Sequence, residues 1–217
     1  MMIRLRPEYA SGGRALVELP GAVLHLVGIA GPMRDEMEDV VFLSQVHGGE
    51  VLRDPAGWEE GDGMILEGRR KCPGIRTADC LPVFFGSSGF SGAFHAGWRG
   101  IVAGIAGRMV MEYPERPEFV LLGNCICGDC YSVGEDVRRK VMMASFTAGH
   151  SPGGHSVHPP HGIDLKKAVL AQMAAAGLPD DVPVYTVPEC TMCRGDLFHS
   201  HRRDGTAERN LQWLRMD

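Results

Sequence analysis

The sequence predicts an α/β or α+β layered sandwich with a mixed sheet. Apolar runs bounded by glycine and proline alternate with amphipathic helical segments, which is typical of folds that stack helices on sheets. The chain has 217 residues, of which 44% are hydrophobic and 23% charged, an ordinary composition for a folded globular protein. No internal repeat is evident. We therefore expect one domain that spans residues 1–217.

The first half of the chain is predicted to supply mainly strands. "GAVLHLVGIAGP" is a branched apolar run that ends in a turn, and Val40 to Val46 form a second run that delivers Gln45 and His47 to its end. "MILEG" follows a turn-rich stretch. Two short apolar runs in "PGIRTADCLPVFFG" then flank the polar pair Asp79-Cys80. This pair interrupts what the flanking pattern predicts to be sheet interior.

The second half alternates strands with helices. "SGAFHAGWRGIVAGIAGRMVMEY" predicts a strand through Phe94 that continues as one helix. A strand at 119–122, a loop with cysteines and a further helix follow. Asp164 is placed to cap a helix that Gly177 ends. "DVPVYTVPECTMC" predicts a last strand and turn, and the tail predicts one more strand pair that turns at Asp204-Gly205.

Composition and charge exclude several classes of protein. A net charge of −5 with no basic stripe argues against nucleic acid as the main partner. No apolar run approaches the roughly 20 residues of a membrane span, and the first residues lack the apolar core of a signal peptide. We therefore expect a cytoplasmic protein. The sequence also lacks a phosphate-binding glycine loop and a G-x-S-x-G motif, which argues against nucleoside triphosphatases, Rossmann dehydrogenases and serine hydrolases of that type.

Three polar residues stand at strand ends and predict a metal or catalytic site: His47, Cys80 and His95. One thiolate and two imidazoles suit Zn²⁺ and leave the fourth tetrahedral position for water or substrate. The alternative is that Cys80 is a small buried hydrophobe and both histidines are satisfied by neighbours. Asp79 and Arg99 would orient the ligands or hold an anion, or else form a structural ion pair.

For two further groups of potential metal ligands, an interpretation without a bound metal is preferred. "CICGDC" and "CTMC" hold Cys125, Cys127, Cys130, Cys190 and Cys193. C-x-C-x-x-C is not a standard zinc-knuckle spacing, so incidental loop cysteines are preferred over a structural zinc site. The histidines at 150, 155, 158 and 161 lie in a stretch rich in glycine and proline that predicts a solvated flexible loop.

The chain resembles the YfiH-like, laccase-domain family, also known as multicopper polyphenol oxidases and as purine nucleoside phosphorylases. The resemblance rests on motifs that occur in the family's order from about residue 40 to the end, namely "SQVHG", "GDGMIL", "TADCLPVFF", "HAGWRG", "CYSVGEDV", "IDL" and "CTMC...LFHSHRRDG". "HAGWRG" after "TADC" is the most specific of these. The family's metal and catalytic trio falls on His47, Cys80 and His95, the same residues that the strand-end pattern selects.

The resemblance implies a zinc-dependent enzyme that cleaves purine nucleosides such as adenosine, inosine, guanosine and methylthioadenosine with phosphate, and that also deaminates adenosine. It further implies a layered fold similar to cysteine-dependent deamidating toxins. Cu²⁺ is a possible occupant of the same site. The cationic candidates for holding the anion are Arg99, Arg202 and Arg203, with Gln45 and Asp79 as further site residues.

The chain departs from the family in a shortened N-terminal region, where Ala30 stands at the position of an arginine, and in "GTAER" near the end, which displaces Arg209 by one place. These departures leave the substrate open. The alternatives are a copper polyphenol oxidase of laccase type, a thiol hydrolase or amidase that acts on peptidoglycan precursors with Cys80 as nucleophile and His95 as base, and a non-catalytic metal or thiol binding protein.

Overall fold

The fold consists of two mixed β-sheets and a layer of short helices. A computed structural model describes residues 2–10, 12–31, 37–146 and 162–217. The predicted histidine loop, residues 147–161, therefore lies outside the described residues. The strands are β1 (Met2–Arg4), β2 (Ala15–Leu19), β3 (Ala22–Val27), β4 (Val40–Val41), β5 (Val51–Arg53), β6 (Gly63–Glu67), β7 (Cys72–Thr77), β8 (Leu81–Gly86), β9 (Phe90–Ala96), β10 (Phe119–Leu122), β11 (Val184–Thr186) and β12 (Asn210–Met216). The helices are α1 (Trp98–Val102), α2 (Ile105–Glu112), α3 (Glu135–Phe146), α4 (Leu165–Ala175) and α5 (His201–Asp204).

The larger sheet has seven strands in the order β1-β11-β10-β8-β9-β6-β5, and the smaller has five in the order β2-β3-β12-β7-β4. Both sheets combine parallel and antiparallel pairs, for example β10 with β11 and β10 with β8. The predicted mixed-sheet α/β class is confirmed at this level.

The larger sheet is the middle layer, because alternate residues of its strands enter two different cores. Val83 and Phe85 of β8 pack with residues of the helices, including Ile105 and Met109. The intervening Phe84 packs with residues of the smaller sheet. Since both faces of β8 are covered, all of its residues are buried and its sequence is continuously apolar rather than alternating.

The helix predicted after β9 is divided into α1 and α2. Gly104 separates them with φ 79°, a left-handed conformation that glycine adopts readily and that interrupts the helical hydrogen-bond pattern. Val102, the last residue of α1, is 39% exposed. The division turns α2 so that its buried residues, among them Ile105 and Met109, lie on the larger sheet.

Two other predicted elements differ in the structure. The strand that begins at Val40 ends at Val41, because the backbone of Phe42 and Ser44 bonds instead to the loop at residues 58–61. The tail forms one strand, β12, instead of a strand pair, and the short helix α5 precedes this strand. Ser200 caps α5 by accepting a hydrogen bond from the Arg203 amide at 3.2 Å, and Gly205 ends this helix.

The predicted cap of α4 is confirmed, since the Asp164 carboxylate accepts a hydrogen bond from the Lys167 amide at 3.1 Å. No helix in the described part of the chain combines the length and the apolar character needed to cross a membrane.

Candidate functional site

His47, Cys80 and His95 meet at one point of the structure. One potential ligand atom of each residue lies within 4.8 Å of those of the other two. The centroids of the two imidazole rings are 4.7 Å apart, with the rings nearly perpendicular. His95 is buried, Cys80 is partly buried and His47 is exposed, so the group connects the protein interior with solvent. The convergence predicted from the strand ends is present in the structure.

The pairing of β8 with β9 brings Cys80 close to His95. Pro82 is opposite His95 and Leu81 is opposite Ala96 in this antiparallel pair. Cys80 directly precedes Leu81, in the turn between β7 and β8, so the hairpin register places its thiol beside the end of β9. These two site residues are therefore fixed by strand pairing, whereas His47 comes from a loop.

Asp62 connects the loop of His47 to His95. Its carboxylate accepts hydrogen bonds from the backbone amides of Val46, His47 and Gly48 at 3.2, 3.0 and 2.6 Å. The same carboxylate lies 2.8 Å from Nδ1 of His95. Because Asp62 engages Nδ1, the Nε2 atom of His95 is the nitrogen left for a metal or a proton transfer.

The three site residues and Asp62 form a connected set of charges. Burial opposes the charge on Cys80, yet hydrogen bonds with His47 and His95 lower its pKa to about 6. Burial also opposes the charge on His95, but its hydrogen bonds to Asp62 and Cys80 raise its pKa to about 9. In the metal-free protein near neutral pH, Cys80 is thus a thiolate beside a protonated His95.

Gly97 provides the space beside these side chains. A Cβ atom at this position would lie 2.9 Å from Sγ of Cys80 and 3.2 Å from Cδ2 of His47. The backbone of Gly97 has φ −84° and ψ 172°, which any residue can adopt. Glycine is required here for space and not for conformation.

The trio opens into a cavity of about 690 Å³ with a cationic lining. Among the residues that the structure describes, its charged lining residues are Arg76, Arg99, Arg202, Arg209 and one carboxylate, Asp79. The other lining residues are Gln45, His47, Thr77, Ala78, Cys80, His95, Trp98, Tyr131, His201 and Ala207. The described lining thus combines metal-ligand atoms with four guanidinium groups.

Asp79 holds neighbouring backbone in place. Its Oδ1 accepts a hydrogen bond from the Thr191 hydroxyl at 2.6 Å, and its Oδ2 accepts one from the Arg202 amide at 2.7 Å. Asp79 has φ 93°, in the left-handed region, at the turn that presents Cys80. Asp79 was predicted as a residue beside Cys80, and in the structure its carboxylate joins this turn to the segments that carry Thr191 and Arg202.

Of the remaining predicted site residues, Arg99, Arg202 and Gln45 line the cavity, and Arg203 does not. Arg99 and Arg202 line the cavity and stack over Trp98 and Tyr131 at 4.8 and 5.2 Å. Gln45 also lines it, but its amide is paired in both directions with the backbone of residue 76, at 2.9 Å each.

The structure does not bring Arg203 into the cavity. Its guanidinium bonds the Asp204 carboxylate and the carbonyl groups of Thr191, Met192 and Phe198. This arrangement stabilises the loop before α5.

The donor set fits Zn²⁺. Two imidazole nitrogens and one thiolate are the ligand types that Zn²⁺ prefers, and three protein ligands leave the open position found in catalytic zinc sites. Asp62 on the second nitrogen of His95 is the outer partner that a zinc-bound histidine usually has. His47, Cys80 and His95 are therefore the residues that could hold a metal here.

Sequence reasoning missed several contributors to this site, among them Asp62, Arg76, Tyr131 and Arg209. Asp62 stands in the quoted motif "GDGMIL", where an acidic residue directly before an apolar strand was the available signal. Arg76 and Tyr131 reach the cavity from β7 and from the cysteine loop, and nothing local in the sequence distinguishes them from ordinary surface residues.

Comparisons with known proteins point to enzymes of nucleoside metabolism. The family described as "Multi-copper polyphenol oxidoreductase laccase" matches residues 29–217. Purine nucleoside phosphorylase YlmD of Geobacillus stearothermophilus is 32% identical over 199 residues, which cover 82% of this chain and 72% of the relative. Adenosine deaminase RL5, from an unknown prokaryotic organism, is 29% identical over 193 residues, covering 78% and 72%.

The fold also has a close counterpart among solved structures. The crystal structure of YlmD from Geobacillus stearothermophilus superimposes with a TM-score of 0.81 at 27% identity, covering 97% of this chain and 98% of that one. The two-sheet architecture is thus the one found in this relative.

We expect Gly97→Ala to weaken metal binding at least tenfold while the fold stays intact. The added methyl group would stand 2.9 Å from Sγ of Cys80, and the backbone conformation there permits alanine. Gly107→Ala is the matched control, because its Cβ would meet no atom closer than 3.7 Å. Competition with a chromophoric chelator measures the affinity. Equal affinities in the two variants would contradict this account of Gly97.

Asp62→Asn is expected to lower metal affinity by about 10- to 100-fold, the usual cost of losing an outer hydrogen-bond partner. An amide NH₂ cannot accept hydrogen bonds, so in either orientation of the new side chain it would face donors that now bond a carboxylate oxygen. The measurement is zinc affinity together with thermal unfolding. An unchanged affinity in a folded variant would show that Asp62 does not orient the ligands.

Proposed function

Since the chain belongs to the multi-copper polyphenol oxidoreductase laccase family, we propose that it is a zinc-dependent purine nucleoside phosphorylase that acts in the cytoplasm. The similarity of the chain to relatives named purine nucleoside phosphorylase supports an enzyme of this broad kind. The proposal adds the metal, the roles of individual residues and the substrates, which are a purine nucleoside and phosphate.

One observation carries the proposal: the zinc-type donor set forms one wall of a cavity whose other charged groups are almost all arginines. Phosphate and sugar phosphates are anions that guanidinium groups bind with two parallel hydrogen bonds. Asp79, the only carboxylate that the described residues contribute to the lining, already accepts hydrogen bonds from the Thr191 hydroxyl and the Arg202 amide. The lining therefore favours an anionic ligand.

Arg76 and Arg209 give this preference a physical basis. The pKa of Arg76 is lowered, first by burial and then by the positive charge of Arg209. The Nε atom of Arg76 is buried and has no hydrogen-bond partner among the residues that the structure describes. An anion between the two guanidinium groups would relieve their repulsion and supply an acceptor.

In the proposed reaction a phosphate oxygen forms a bond to C1′ of the ribose while the bond from C1′ to the purine nitrogen breaks. The electron pair of that bond leaves with the base, which then takes up a proton. Bound Zn²⁺ would act as a Lewis acid at the open side of the trio. The arginines hold the phosphate near the trio, and stacking on Trp98 and Tyr131 limits the orientations of Arg99 and Arg202.

Adenosine deamination belongs to the same proposal as a second reaction at this site, because one relative is named an adenosine deaminase. There, water adds to the purine C6 and ammonia leaves, so phosphate is not consumed. Cu²⁺ is a possible occupant of the same ligands, since it binds most nitrogen and sulfur sites more tightly than Zn²⁺ does.

A thiol hydrolase is the second candidate, and one observation favours it. Cys80, His95 and Asp62 form a thiolate, imidazole and carboxylate array, and the pKa of Cys80 is lowered to about 6. This is the arrangement of an activated cysteine nucleophile with an oriented base. Such an enzyme would act without metal and would be inactivated by alkylation of Cys80.

We expect the purified protein to release hypoxanthine from inosine only when phosphate and zinc are both present. Removing the metal should abolish release, and adding back Zn²⁺ should restore it. Cys80→Ala and His95→Ala should each lose metal and turnover together. Chromatography of base and ribose 1-phosphate provides the measurement. Turnover in metal-free protein that iodoacetamide stops would favour the thiol hydrolase, and no turnover across a nucleoside panel would contradict the proposal.

Arg99→Gln and Arg209→Gln should each raise KM for phosphate about tenfold or more while changing KM for inosine much less. Loss of one hydrogen bond to a charged group costs about 1.5–3 kcal/mol, which corresponds to at least a tenfold change. Arg116→Gln is the control, because Arg116 pairs with Asp181 on the surface and does not line the cavity. A uniform change in both KM values, or none, would exclude these two arginines from the phosphate site.

A further inference from the structure

A second group of metal-ligand side chains lies outside the cavity. Cys127, Cys130, Cys190 and Cys193 place their four sulfur atoms within 4.8 Å of one another. They form two C-x-x-C pairs, one in the loop after β10 and one in the loop after β11. The C-x-C-x-x-C spacing of the first loop predicted incidental cysteines. The structure leaves Cys125 out of the group, and the remaining spacing is that of a zinc knuckle.

The distances fit a tetrahedral metal. Four sulfurs bonded to one zinc at about 2.3 Å stand about 3.8 Å from each other. The Sγ atoms of Cys130 and Cys193 are 3.4 Å apart, close to this value and well beyond the roughly 2.05 Å of a disulfide. The four sulfurs are thus spaced for an ion at their centre.

The backbone fixes the two loops against each other. Residues 125 and 190 form a parallel bridge, and the Thr191 amide donates to the carbonyl oxygen of Cys125 at 3.2 Å. The Cys127 amide donates to Sγ of Cys190 at 3.3 Å. An amide that donates to a ligand sulfur is a typical outer contact of metal thiolate sites. Backbone contacts therefore bring the ligand atoms of the two loops together.

We propose that these four cysteines bind a structural Zn²⁺ ion, distinct from the metal of the cavity. Tetrahedral sites with four sulfur ligands are characteristic of zinc or of iron–sulfur clusters, and four protein ligands leave no open position for substrate. The ion joins two loops that have little regular structure of their own, a role that metals commonly take where the apolar core is thin.

The site also has a connection to the cavity. Thr191 lies between the two cysteines of the second pair, and its hydroxyl bonds Asp79 next to Cys80. Tyr131 directly follows Cys130 and lines the cavity. The tetrathiolate zinc therefore fixes the wall of the cavity on the side of Tyr131, and its ligands are positioning residues.

Metal analysis of the whole chain tests the proposal. Protein purified under reductant should contain two zinc ions per chain, and Cys130→Ser/Cys193→Ser should contain one. Cys72→Ala is the matched control, because Cys72 is a buried cysteine outside both groups and should leave two ions in place. His47→Ala/His95→Ala should retain one zinc, with an X-ray absorption spectrum of four sulfur ligands at about 2.3 Å.

A measurement on the unaltered chain covers the case in which the serine variant does not fold. Co²⁺-substituted protein should show tetrahedral d–d absorption and thiolate charge transfer for two sites. A His47→Ala/His95→Ala variant that retains no divalent metal, a Cys130–Cys193 disulfide in reduced protein, or iron with acid-labile sulfide would each overturn the proposal. Because the histidine variant separates the two sites, failure of this proposal is distinguishable from failure of the proposed function.

Discussion

The carboxylate of Asp62 is the constraint on which the site depends. It gathers three successive backbone amides from 46 to 48 and one ring nitrogen of His95 around a fully buried charge. A buried carboxylate is stable only when donors surround it, so this group orders the loop as well as the ring. The loop holds His47 at φ 61°, a conformation that would be unfavourable without such support.

Much of the fold could be predicted because strands and helices leave a pattern of apolar residues among close neighbours in the sequence. The strand at 119–122, the cap at Asp164 and the strand ends that carry Cys80 and His95 all follow from neighbouring residues. The middle position of the larger sheet explains why β8 appears in the sequence as a continuous apolar run. Gly104 was visible too, but its left-handed conformation depends on how α2 packs on the sheet.

The parts that could not be predicted depend on contacts between distant segments. Asp62 contacts His95, which lies 33 positions later in the chain. Asp79 accepts a hydrogen bond from Thr191, which lies 112 positions later. The grouping of the cysteines could not be predicted for the same reason, since only the fold shows that Cys125 stands apart from the other four sulfurs. Arg203 was a plausible anion ligand by type, and its carbonyl contacts are likewise a property of the folded loop.

The place of β12 in the smaller sheet has a consequence for biosynthesis. This strand lies between β3 and β7, so residues 210–216 complete a sheet whose other strands are translated much earlier. Until the ribosome has made them, β3 and β7 each present an unpaired edge, and such edges are prone to join other chains. The turn that carries Cys80 follows directly from β7. The group of His47, Cys80 and His95 is therefore expected to reach its final geometry only after β12 has joined the smaller sheet.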